Sequence, residues 1–104
     1  MKNENSFERI SNAFKTKLPK FQSHIEAKKY LQEQFGSRFV FHKNIDDEKE
    51  TSYLYHLKLN VEFYDKGIVK FKMRKFSLAD DDCFNFMDSY QPVIISEDGD
   101  VHFH

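Results

Sequence analysis

The residues best placed by type and spacing to bind something are His56, Lys58, Lys70, Lys72 and Arg74. They are separated by even intervals, so on extended strands they share one face. A compact cationic face neutralises phosphates or carboxylates. The plainer reading is a solvated face of a half-exposed sheet, relieved by Glu62 and by nearby acidic loops.

Histidine offers a second chemistry. His102 and His104 lie two apart and share a face of any terminal strand. With His42, His56 or Asp100 converging, they would suit zinc or copper. Two ligands do not make a site, so the expectation is an exposed or structural pair, with no metal and no cofactor. A small metal-dependent enzyme stays open as an alternative.

The remaining reactive groups have structural uses. Cys83 falls on the expected inner stripe of a helix, where a thiol behaves as a small hydrophobe. Asp80, Asp81 and Asp82 beside it disfavour a thiolate. Those acids suit a helix start, and Glu97, Asp98 and Asp100 suit a hairpin turn without the spacing of a calcium loop. Asp46, Asp47, Glu48 and Glu50 have no such use and could meet a basic partner. Gly36, Gly67 and Gly99 are all taken by turns or caps, which leaves none for a phosphate-cradling loop.

The elements that must position these groups read as follows. Phe7, Ile10, Phe14 and Leu18 recur at helical spacing before Pro19 and predict a helix from Phe7 to Leu18. Ser23 and Glu26 form a capping box for a second helix, with Ala27, Leu31 and Phe35 inward and Gly36 as its stop. A strand from Arg38 to Lys43 follows, then an acidic loop from Asn44 to Glu50.

Tyr53, Tyr55, Leu57, Leu59, Val61 and Phe63 alternate with polar residues and predict a long strand. Asp65-Lys66-Gly67 reads as its turn, with Ile68 to Arg74 returning. In that register Val61 faces Phe71, while Glu62 faces Lys70 and Lys58 faces Arg74 on the other side. Ser77 and Asp80 open a third helix, with Cys83, Met87 and Tyr90 inside and Phe84 or Phe86 beside them. Gln91-Pro92 breaks it. Val93 to Ser96 and Val101 to His104 pair across Asp98-Gly99, a register that sets His102 opposite Ile95.

The predicted class is α+β, in the order α-α-β-β-β-α-β-β, with helices packed on one face of a mainly antiparallel sheet. The central α-β-β-β-α order, over about residues 23 to 90, resembles a double-stranded-RNA-binding domain. Where that family has a basic cluster at the start of its last helix, this chain reads Leu78-Ala79-Asp80-Asp81-Asp82. Element order alone therefore transfers no function.

Composition bounds the rest. The chain has 104 residues, enough for a single domain and no second core. Its 12 Phe and 5 Tyr with no Trp make an aromatic-rich core. Abundant Lys, Asn, Phe and Asp hint at a low-GC bacterium or its mobile element. A net charge of −1 predicts no bulk attraction to nucleic acid, and a single Cys excludes an internal disulfide and fits a reducing compartment. With no apolar leader or spanning run, the expected location is cytoplasmic. The expected function is a small non-enzymatic regulatory or inhibitory protein-binding module, with Phe76, Tyr64 or Tyr90 as exposed anchors. A nucleic-acid-binding domain using the basic strand face is the alternative. The final strand is a sheet edge able to pair with a copy of itself.

Overall fold

A computed structural model describes residues 7–46, 49–73 and 85–104. The α+β class and the antiparallel sheet expected from sequence are present. Helices α1 (Asn12–Thr16) and α2 (His24–Phe35) precede strands β1 (Phe39–Asp46) and β2 (Thr51–Lys58). Helix α3 (Val61–Lys72) then leads to β3 (Tyr90–Ser96) and β4 (Val101–Phe103). The strands lie in the order β1-β2-β3-β4, each antiparallel to the next.

Helix α2 forms where its signals stand. The Ser23 hydroxyl accepts the Glu26 amide at 3.2 Å. The Glu26 carboxylate accepts the Gln22 amide at 3.3 Å rather than that of Ser23. Ala27 and Leu31 are fully buried against Phe39, Tyr55, Leu57, Val93 and Ile95, which form the main core.

The first helix is shorter than predicted, running only over Asn12–Thr16 from a Ser11 cap. The residues before it have other partners. The Phe7 amide donates to the Leu59 carbonyl at 2.6 Å, and the Ile10 amide donates to the buried Gln91 side chain at 2.9 Å. Ile10, Phe14 and Leu18 still pack against the core.

The largest correction concerns the expected hairpin at Asp65-Lys66-Gly67, which does not form. The strand stops at Lys58 and helix α3 occupies Val61–Lys72. The Asn60 side chain accepts the Phe63 amide at 3.0 Å. Glu62 sits in the first turn and Lys70 and Lys72 in the last, as the helix dipole favours. Tyr64 and Gly67 are buried, at a spacing that continues through Ile68 and Phe71 as a helical face. Leu59, Val61 and Phe63 keep the strand period, but Val61, Tyr64, Ile68 and Phe71 fit the helical one, and the Asn60 cap starts the helix.

α3 also lies on the opposite face from α2. Tyr55 points into the α2 core while its neighbour His56 bonds Tyr64 of α3. The helices thus flank the sheet rather than share one side. Of the third helix expected from Ser77 to Tyr90, residues 85–87 are helical and Tyr90 already belongs to β3. Phe86, expected beside the inner stripe, is buried, whereas Met87, expected within it, is exposed. The start of that helix, with Cys83, lies outside the described residues.

Pro92 sits within β3 instead of breaking a helix before it. The Pro92 carbonyl accepts from the His104 amide at 2.9 Å. Its missing N–H therefore points the same way, past the end of β4, where the β2–β3 ladder needs no donor.

The last hairpin closes through Ser96 and Asp100, with the Ser96 amide donating to the Asp100 carbonyl at 2.9 Å. This loop is one residue longer than the expected two-residue turn, so His102 pairs with Ile94 rather than Ile95. A one-residue slip exchanges faces. Gly99, at φ +94°, makes the turn, and a Cβ there would lie 2.8 Å from the Phe21 carbonyl oxygen. Gly99→Ala is expected to cost at least about 1–2 kcal/mol, read as a lowered urea midpoint with an unchanged slope.

Candidate functional site

The five predicted binding residues do not share a strand face. His56 and Lys58 are on β2, Lys70 and Lys72 are in the last turns of α3, and Arg74 lies outside the described residues. His56 is only 4% exposed. The Lys58 ammonium is 2.8 Å from the Asp65 carboxylate and over the Tyr64 ring. Of the expected aromatic anchors, Tyr64 is buried, Tyr90 is half-buried, and Phe76 lies outside the described residues.

What gathers instead are two histidine–tyrosine clusters, one on each face of β2. On the α3 side, His56 is sandwiched between His42 and Tyr90, with ring centroids 4.2 and 4.0 Å away. Its Nδ1 lies 2.9 Å from the Tyr64 hydroxyl. Burial pushes His56 down to about 4, helped by His42 and Lys43, and pushes the Tyr64 phenol up to about 12. His42 is lowered too, by burial and then by Lys43 and Lys72.

On the α2 side, His24 stacks on Tyr53 at 3.6 Å and its Nε2 meets the Tyr55 hydroxyl at 2.7 Å. Burial raises Tyr55 to about 12. His24 is lowered by burial and Lys28, against an opposing pull from Glu97.

These clusters hold elements together. His56 has both ring faces covered and Nδ1 occupied, which leaves little room for a substrate. A neutral imidazole paired with an un-ionised phenol is a satisfied buried hydrogen bond. Among the described residues no buried side-chain nitrogen or oxygen lacks a partner, and no three His, Cys, Asp or Glu are grouped to hold a metal ion. His42 and His56 lie together, but face to face; His102 is exposed on β4.

The feature that sequence reasoning missed is the edge made by β1. It is the outermost strand beside β2 and eight residues long. Among the described residues, the one backbone hydrogen bond that reaches it from outside β2 is at its start, where the Phe39 amide donates to the Gly36 carbonyl. A bulge between Phe41 and Lys43 interrupts its register. Phe41 is 54% exposed, with Lys43, Asn44 and Asp46 also exposed. The opposite edge, β4, has three residues. Reading Asn44 to Glu50 as a loop concealed the length of β1.

No family model, curated protein or solved structure matches the chain. Among the described residues, no helix is long and apolar enough to cross a membrane.

Proposed function

We propose that the chain is a small non-enzymatic module that regulates or inhibits another protein by binding it at the β1 edge. The observation that carries this reading is that, among the described residues, no strand pairs with the outer side of β1, beside exposed Phe41. An extended segment adds to such an edge through main-chain hydrogen bonds, while exposed side chains set specificity. Phe41 gives that surface an aromatic anchor.

The alternatives have less support. A nucleic-acid interface was expected from one cationic strand face, and its described members lie on two elements, with Lys58 held by Asp65. A metal-dependent enzyme needs ligands that converge, and among the described residues no three His, Cys, Asp or Glu do.

The test is capture from host extract, with and without nuclease, using the protein and a Phe41→Asp variant. The expected result is a stoichiometric protein partner that survives nuclease and is lost with the variant. Recovery that disappears with nuclease, or that ignores the Phe41 change, would overturn the reading.

A further inference from the structure

The β1 edge carries charge in a pattern that selects its occupant. The bulge at Phe41/Lys43 falls at the middle of the strand. His42, stacked on His56 and next to Phe71 of α3, feels the charges of both Lys43 and Lys72. Two elements therefore bring cations to the same stretch of edge. Both lysines are exposed, and neither has an ion pair among the described residues, whereas Lys58 has Asp65 and Lys66 has Glu62. The acid on β1 itself, Asp46, is at the strand's far end and accepts from the Thr51 hydroxyl at 3.3 Å.

Resting on the docking edge proposed above, we infer that its occupant is an acidic extended segment of a partner protein. Its backbone pairs with β1, and its carboxylates meet Lys43 and Lys72. A second copy of this chain is the poorer match. Antiparallel pairing of β1 with itself centred on His42 or on Lys43 sets the two Lys43 side chains diagonal to or directly opposite each other, and that like-charge approach is destabilising. The bulge further interrupts a flat self-pairing, as edge strands commonly do to avoid their own kind. An acidic strand turns the same two lysines into attraction and steers the encounter.

The experiment is selection of a displayed library of random decapeptides against the whole protein. Enriched peptides are then synthesised and titrated while amide exchange is followed residue by residue. The expected result is enrichment of Asp or Glu at alternating positions, with protection appearing along Phe39–Asp46. Lys43→Glu combined with Lys72→Glu should weaken the selected peptides by about tenfold or more and leave the exchange pattern of the free protein unchanged. Peptides that protect β1 but carry no acidic excess would overturn the charge inference and leave the docking edge standing. Protection elsewhere, or a library from which nothing is enriched, would overturn both.

Discussion

Lowering the pH from 7 to 4 is expected to remove about 3 kcal/mol of stability through His56 alone. The unfolded chain takes up this proton near the ordinary value of 6.5, and the folded chain only near 4. Between those values the unfolded state binds more protons, so stability falls as pH falls. At about 1.4 kcal/mol per pH unit, that interval amounts to about 3 kcal/mol. The loss begins near 6.5 and is complete below about 4. His42 and His24 are shifted in the same direction and add to the slope. Urea midpoints at pH 7, 5.5 and 4.5 measure it. His56→Phe keeps the ring between His42 and Tyr90 but has no proton to take, so its curve should be flatter over this interval. An unaltered slope in that variant would show that His56 is not buried neutral.

The second large effect is steric. Gly67 lies on the inner face of α3, and a Cβ there would sit 2.4 Å from Phe86 atoms. Phe86 is itself 2% exposed and packs on Tyr64, Phe71 and Tyr90. It has no free space into which to retreat. Gly67→Ala is therefore expected to cost about 3 kcal/mol, at the upper end for overpacking, despite the better helix propensity of alanine. Chemical denaturation gives the magnitude. Partial rescue by Phe86→Leu in the same chain would locate the clash, and a neutral Gly67→Ala would refute the close approach.

Much of the fold was legible where a local signal had no competitor. Ser23 with Glu26, then Ala27, Leu31 and Gly36, marks α2 to within a residue at each end. Tyr53, Tyr55 and Leu57 alternate and are indeed a strand. The signal failed from Leu59 onward, because Leu59, Val61 and Phe63 continue the period of two, while the helical stripe of Val61, Tyr64, Ile68 and Phe71 starts in the same stretch. Asp65-Lys66-Gly67 is a good turn sequence, and only the contact with Phe86 explains a glycine inside α3. That contact joins positions distant in sequence and leaves no local trace. The site was hidden for the same reason. Even spacing among Lys58, Lys70 and Lys72 implies a shared face only if all three are on strands, and the place of β1 at the edge of the described sheet depends on a strand order that local patterns do not encode.

The unequal lengths of the two outer strands set a valence. Growth of a sheet beyond its own chain needs a long ladder on both sides, one to give and one to receive. Here one side offers eight residues and the other three. An added strand on β1 would present its own far edge, but among the described residues this molecule has no matching long acceptor to continue the series. With a partner on β1 as proposed, association through the sheet is expected to end at one partner per chain, a closed complex instead of a fibre.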